Sequence, residues 1–336
     1  MHPPPINGGF MEMLWLTEEE VRSLLTIDDA IAAVQRAFLD HGNGRTQMPP
    51  KSYLYLPKHN GDLRCMPAYL EGQDLAGVKI VNVHPGNPQI GLPSVMALLI
   101  LNSPQTGEPL AVMGATYLSS MRTGAAGAVA ARHLARQDSR VVGMIGAGTQ
   151  ARTQLQGLSR YFPIEQVMVF DSFEDQALAF KDDVSGFMKC SCIAVSGPEE
   201  ACECDILVTT TPSRRPVVRD EWIQPGTHIN AIGADAAGKQ ELESTLLKRA
   251  KIVVDDIAQA VHSGEVNVPL SEGIIREKDI YAEIGEILTG KKTGRTSNDE
   301  ITIFDSTGLG IQDVAAGHAV YEKALRSNIG RRMRLA

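Results

Sequence analysis

Val141-Val142-Gly143-Met144-Ile145-Gly146-Ala147-Gly148-Thr149-Gln150-Ala151 joins an apolar run to a glycine turn and then to a helix-compatible stretch, Arg152 to Leu158. In such a passage the first glycine permits a tight turn and the second lets backbone approach a pyrophosphate. A small residue in third place, here Ala151, lets helix and strand pack closely. The helix start then offers unpaired N–H groups and the positive end of its dipole to phosphate. Gln166-Val167-Met168-Val169-Phe170 reads as the next strand and ends in Asp171, 20 residues beyond Ala151. A carboxylate there accepts hydrogen bonds from ribose hydroxyls and repels the additional phosphate of NADP, so the passage predicts an NAD site. The competing reading is a glycine turn in a domain of the same kind that binds another nucleotide or none.

Downstream, strand-like segments near 192–195, 205–210, 227–232, 251–255 and 301–305 alternate with helical stretches, as in βαβ units of a parallel sheet. Upstream the texture differs. Thr17-Glu18-Glu19-Glu20 has capping-box spacing, and Thr26 precedes a second helix in which Ile27, Ile31, Val34, Ala37 and Phe38 recur on one face. Short β-like runs follow at 53–56, 63–66, 78–83, 95–101 and 110–113, the last two separated by the turn residues Ser103-Pro104-Gln105-Thr106-Gly107. They predict an antiparallel sheet carrying the two N-terminal helices. After Thr116 come Gly124, Ala125, Ala126, Gly127, Ala128, Ala130 and Ala131, the composition of a helix packed closely on a neighbour. A last helix, Ile311 to Leu325, is placed to return to the first domain. The fold class is therefore α/β: a Rossmann-type domain over 121–311, and a smaller α+β domain formed by 11–120 with 312–336.

A length of 336 residues suits two domains, and a net charge of −8 leaves no electrostatic footprint for nucleic acid or an anionic membrane. The longest apolar run, Val95 to Leu101, is far below the roughly 20 residues of a bilayer span. The start, Met1-His2-Pro3-Pro4-Pro5, has none of the parts of a secretory signal, so a cytoplasmic chain with a loose extension before Met11 is expected. Cys190, Cys192, Cys202 and Cys204 form two Cys-x-Cys pairs whose spacing is shorter than structural zinc sites prefer. With Cys65 they read as reduced structural thiols, and no metal is expected.

Several residues are suited to chemistry. Lys79, in Gly77-Val78-Lys79-Ile80-Val81, is a strand ammonium with apolar neighbours. If buried, it meets a carboxylate or has a depressed pKa and can polarise a carbonyl or imine; otherwise it is a surface cation. Arg64 is either a fork for a substrate carboxylate or a surface charge, and Arg122 suits a carboxylate or a cofactor phosphate. Ile229-Asn230-Ala231-Ile232-Gly233-Ala234-Asp235 reads as a buried strand ending in a carboxylate. The carboxyl ends of parallel strands are where such sheets place reacting groups, which makes Asp235 a candidate general base. Asp305-Ser306-Thr307-Gly308 ends the last strand in the same way or caps a turn. His84 is catalytic or, as a loop histidine before proline, structural.

Taken together, Arg64-Cys65-Met66-Pro67, Val78-Lys79-Ile80-Val81-Asn82 with His84-Pro85-Gly86-Asn87, Met121-Arg122-Thr123-Gly124-Ala125, the Gly146 turn, His228 to Asp235 with Gly238-Lys239-Gln240-Glu241-Leu242, and Phe304-Asp305-Ser306-Thr307-Gly308 resemble the ornithine cyclodeaminase/mu-crystallin family. Within it the likeness is to archaeal-type alanine dehydrogenases, which interconvert pyruvate plus ammonia with L-alanine using NAD. The resemblance implies Arg64, Lys79 and Arg122 at the substrate and Asp235 managing the proton at the amino group. Around NAD it implies Thr123, Gly146, Gly148, Thr149, Gln150, Ala151, Asp171 and Ser306, together with Thr210, Ile232 and Gly233. It also implies a homodimer joined through the first domain, which binds the substrate. Where cyclodeaminases resemble Glu-Leu-Met-Pro, this chain has Arg64-Cys65-Met66-Pro67, and a guanidinium there repels the distal amine of ornithine. Pyrroline-2-carboxylate reduction is the runner-up, followed by ornithine cyclodeamination and by a non-catalytic, mu-crystallin-like binding role.

Overall fold

The structure is a computed structural model and describes residues 11–335. The expected N-terminal extension lies outside the described residues. In chain order the elements are β1 (Glu12–Leu16), α1 (Glu18–Leu24), α2 (Ile27–Gly42), β2 (Thr46–Gln47), β3 (Ser52–Leu56), β4 (Gly61–Leu70), β5 (Leu75–Val83), β6 (Val95–Asn102), β7 (Pro109–Gly114) and α3 (Thr116–Leu134). There follow β8 (Val141–Ile145), α4 (Thr149–Leu158), β9 (Gln166–Phe170), α5 (Glu174–Phe187), β10 (Ser191–Ala194), α6 (Pro198–Ala201), β11 (Ile206–Thr209) and β12 (His228–Ala231). The remainder comprises α7 (Ser244–Arg249), β13 (Lys251–Val254), α8 (Ile257–Ser263), α9 (Asn267–Ser271), β14 (Ile280–Glu283), α10 (Ile284–Leu288), β15 (Thr302–Asp305), α11 (Gly310–Ser327) and β16 (Arg331–Arg334). Two units emerge: residues up to Arg122 with those from Leu309 onward, and Thr123–Gly308.

In the first unit the sheet runs β16-β1-β7-β6-β5-β4-β2, with β3 also paired to β4. Both N-terminal helices start at capping boxes, Thr17 with Glu20 and Thr26 with Asp29. The five expected strands, β3 to β7, pair antiparallel as read, and β1, which the sequence reading did not list, adds to them parallel to β7. Only tight hairpins force antiparallel pairing, and the long path between these two strands leaves the direction free. β16 pairs antiparallel with β1 and passed unnoticed in the sequence, since Arg331-Arg332-Met333-Arg334 has no apolar alternation. Cationic residues of this kind are common on exposed sheet edges. Helix α11 packs on α2, β4, β5 and β6 of the same unit.

The second unit is an all-parallel sheet in the order β10-β9-β8-β11-β12-β15-β13-β14. After β8 the chain moves outward through β9 and β10 and then crosses to β11 on the other side. The carboxyl ends of β8 and β11 therefore form a topological switch point, where open α/β sheets take their ligands. One apolar cluster, with Val142, Met144, Leu155, Val167 and Phe180, lies under α4 and α5. Another, with Leu207, Ile229, Leu242, Ile252 and Ile303, fills the opposite face. No helix of the described residues is long and apolar enough to cross a membrane.

Candidate active site

In the first unit β4 and β5 pair with Arg64 opposite Val81 and Met66 opposite Lys79, so Arg64 and Lys79 share a sheet face one diagonal step apart. That face is covered by α11. Lys79 is 1% exposed, and its Nζ lies 2.8 Å from both carboxylate oxygens of Asp313, which is itself fully buried. Burial pushes the lysine pKa down to about 7, and the Arg122 charge adds to the effect while Asp313 works against it. Lys51, just before β3, also lowers it. Arg122, near the middle of α3, donates from Nε to Asp313 Oδ1 at 2.9 Å and from Nη1 to Gln312 Oε1 at 2.9 Å. Lys79 and Arg122 are thus buried cations meeting at one carboxylate, and the reading of Lys79 as a surface charge falls away.

Arg64 is likewise buried. Its Nε and Nη2 grip Asp62 at 2.8 and 3.0 Å, and its guanidinium lies over the Tyr53 ring. Its fork is thus anchored on the same strand that carries it. Sequence reasoning passed over Asp62, Lys51, Gln312 and Asp313. For the last two the signal was in view, since a Gln-Asp pair in the first turn of a helix otherwise apolar along its inner face needs partners. The ring of His84 lies against Gly61, where a Cβ would come within 2.5 Å of it.

In the second unit the glycine turn sits at the switch point. Gly146 has φ +95°, a left-handed conformation, and a Cβ there would lie 2.9 Å from Thr210 Oγ1, so only glycine fits. Gly148 caps α4 with no side-chain hydrogen bond, is exposed, and has open space where a Cβ would stand. Thr149, exposed, and Gln150, half-buried, follow at the helix start, while Ala151 is buried beneath it. Arg152 braces the turn from behind by donating to Ala147 O and Gly148 O while holding Asp183 at 2.7 Å. Asp171 accepts from Ala147 N at 2.8 Å and from Phe173 N at 2.9 Å, which ties the second strand's carboxylate to the turn. Each oxygen keeps a further lone-pair site for a hydroxyl donor. An open cradle, an uncapped helix start and a strand-end carboxylate tied to the turn fit a dinucleotide.

The other cofactor candidates gather on the ends of neighbouring strands. Thr210 N bonds Ile145 O, Ile232 N bonds Thr209 O, and Ser306 N bonds Ala231 O. Thr123 is buried on α3 and its carbonyl accepts from Gln154 Nε2. Beneath these ends lies a bracket the sequence did not reveal. Glu241, 0% exposed, accepts from Thr209 Oγ1 at 2.8 Å, Thr211 N at 2.6 Å and Gly233 N at 2.7 Å. Its own backbone N–H is held by Glu265, and Asp255 accepts from Thr307 N and Gly308 N. The expected strand through Asp235 accordingly stops at Ala231, because Gly233 N turns to the Glu241 carboxylate instead of a ladder partner. Asp235 stands in the loop beyond, paired with Lys239 at 2.6 Å.

Residues 11–328 match the ornithine cyclodeaminase/mu-crystallin family. Alanine dehydrogenase from Archaeoglobus fulgidus is 56% identical over 324 residues, 96% of this chain and 99% of that protein. Among solved structures, an archaeal alanine dehydrogenase dimer with bound NAD superposes with a TM-score of 0.94 at 56% identity, covering 97% of this chain and 100% of that one. The Thermococcus litoralis Delta(1)-pyrroline-2-carboxylate reductase, in complex with NADH and L-proline, gives a TM-score of 0.93 at 41% identity, covering 95% and 99%.

Proposed function

Because the chain belongs to the ornithine cyclodeaminase/mu-crystallin family, we propose that it is an NAD-dependent alanine dehydrogenase, converting pyruvate, ammonium, NADH and a proton to L-alanine, water and NAD, and the reverse. The observation that carries this reading is the buried pair of cations, Lys79 and Arg122, sharing the single carboxylate of Asp313. Such a cluster is short of negative charge, and the carboxylate of a small 2-oxo or 2-imino acid supplies it. Arg122 keeps its Nη2 without a partner among the described residues and offers that edge to the acid. Arg64, steadied by Asp62, completes a cationic set that repels the distal ammonium of ornithine.

Gly146, Gly148, Thr149, Gln150, Ala151 and Asp171 hold the dinucleotide, with Thr123, Thr210, Ile232, Gly233 and Ser306 on the adjoining strand ends and α3. NADH supplies the hydride to C2 of the substrate. Lys79 polarises the 2-oxo or 2-imino group, a role its ammonium fills up to a pH of about 7. Asp235, whose charge is steadied by Lys239, takes the proton at the amino nitrogen in deamination and returns it in amination. The C=O bond gives way to C=N with loss of water, and hydride plus proton then convert C=N to CH–NH.

The protein works as a homodimer through the first unit, whose sheet exposes Trp15 at 38%, Met96 at 38% and Leu98 at 46%. Its place is the cytoplasm, in keeping with five cysteines that are all free thiols, those of Cys192 and Cys202 pushed up to about 11 and about 12 by burial. The deciding assay follows NADH consumption with pyruvate plus ammonia, beside pyrroline-2-carboxylate without ammonia and ornithine with NAD. Turnover of pyruvate with ammonia is expected, and no proline from ornithine. Faster reduction of pyrroline-2-carboxylate replaces this reading with the second one, which the neighbour holding NADH and L-proline favours.

A further inference from the structure

Arg122 and Lys79 arrive from different elements, α3 and β5, and two consecutive residues of α11 meet both. Gln312 Oε1 accepts from Arg122 Nη1 at 2.9 Å and from Leu309 N at 3.2 Å. Both neighbours are donors, so the amide can stand only with its oxygen toward them, and its orientation is fixed. Gln312 is 0% exposed, and its Nε2 has no partner among the described residues. Asp313 Oδ1 takes Arg122 Nε at 2.9 Å and Lys79 Nζ at 2.8 Å. With Nε and Nη1 both occupied, the guanidinium cannot rotate, and Nη2 is the corner left over. A freely rotating arginine would lose that preference and much of its bidentate recognition.

We propose that Gln312 and Asp313 are positioning residues for carboxylate recognition, a socket that fixes Arg122 beside Lys79 and aims Nη2 at the substrate's carboxylate. The proposal rests on the reading of the substrate as a small 2-oxo or 2-imino acid. The charge balance supports it. Facing Lys79 are Asp313 from α11, Arg122 from α3 and Lys51 from the segment before β3, while Arg64 on the same face of β4 is matched by Asp62. Two buried cations, Lys79 and Arg122, against the one carboxylate of Asp313 leave the cluster one anion short, and the socket decides where that anion binds. Gln312 does the aiming without charge: a glutamate in its place would hold Arg122 equally well but cancel the attraction.

The test compares Gln312→Ala, Gln312→Glu and Asp313→Asn with the wild type. It follows steady-state kinetics with pyruvate and ammonia, NADH titration by fluorescence, and calorimetric binding of oxamate, an unreactive carboxylate, to the NADH complex. Gln312→Ala should raise KM for pyruvate and Kd for oxamate at least about tenfold, with kcat within about threefold and NADH affinity unchanged. Gln312→Glu should weaken both further. Asp313→Asn removes the one group that raises the Lys79 pKa, so the alkaline limb of kcat/KM should move below about 7. Wild-type KM and oxamate affinity in Gln312→Ala, or an unmoved limb in Asp313→Asn, overturns the socket. So does a loss of oxamate binding matched by an equal loss of NADH binding, which marks a general structural fault. If the wild type binds oxamate yet turns over no pyruvate, the proposed reaction fails; the socket then stands or falls on oxamate alone.

Discussion

Both units bury charge, in opposite ways. In the first, Lys79 and Arg122 meet a side-chain carboxylate, and the ensemble is left short of negative charge. In the second, Glu241, Glu265 and Asp305 are fully buried among backbone N–H groups and threonine hydroxyls, with no cationic side chain paired to them among the described residues. Burying a charge is costly either way. In the second unit the cost is set against architecture, because each carboxylate stitches together chain segments at the carboxyl ends of strands. In the first it leaves an unmet demand for an anion, which is what a binding site is. The cations of the first unit are left incompletely neutralised, whereas neutral donors hold Glu241 and Glu265 in the second.

Substitution of Lys79 gives the largest effect this contrast predicts. Lys79→Ala should lower kcat by more than about a hundredfold, ~2.7 kcal/mol of barrier, while leaving NADH affinity nearly intact. Fluorescence titration beside steady-state kinetics separates the two quantities. A variant keeping a tenth of wild-type kcat would make Lys79 scaffolding as well, and the contrast would collapse. Glu241→Ala should do the reverse. It strands Thr211 N, Gly233 N and Thr209 Oγ1 in the interior, at about 1–3 kcal/mol for each donor left unsatisfied. Loss of thermal stability and weaker NADH binding are expected, with oxamate affinity unchanged when NADH is saturating. Impaired oxamate binding at saturation would show that the bracket serves more than its own unit.

The smallest effect, and the one that sharpens the comparison most, is in the pH dependence of stability. Lys79 holds its proton to a pH of only about 7 when folded but to about 10.5 when unfolded. The unfolded chain therefore binds more protons in that window, and stability rises with pH across it. Asp305 is raised by burial from 3.8 to about 7. There the folded chain binds more protons, and stability falls as pH rises from about 4 to about 7. Hydrogen exchange resolved by peptide should show amides of β13 and β15 losing protection over the acid window and amides of β5 gaining it over the alkaline one. Parallel responses in the two units would remove the distinction.

Much of the second unit was legible because its elements are local: a strand of five apolar residues, a glycine turn and a helix lie consecutively, and the same period repeats. β14 escaped, since Ile280–Glu283 is four residues long and offers little pattern. The candidate site was legible on one side only. Lys79, Arg64 and Arg122 stand out as cations among apolar or small neighbours, and Asp171 stands at a strand end. Their partners do not stand out. Asp313 lies 234 positions from Lys79, and nothing in the linear order says that α11 will lie over β5. Glu241 was quoted within a motif yet given no task, because its task is to accept from backbone groups, which every residue carries and no sequence pattern displays.

Asp313 leaves the ribosome well after the two cations that it meets. The first 122 residues emerge carrying Lys79 and Arg122, and the whole second unit must follow before the carboxylate that lets both be buried exists. Until then the two cations have a strong reason to stay in water, and β1 lacks the neighbour that β16 provides. A nascent chain that has not reached α11 therefore lacks the carboxylate that Lys79 and Arg122 share. The arrangement makes synthesis of α11 a condition of burying the two cations together.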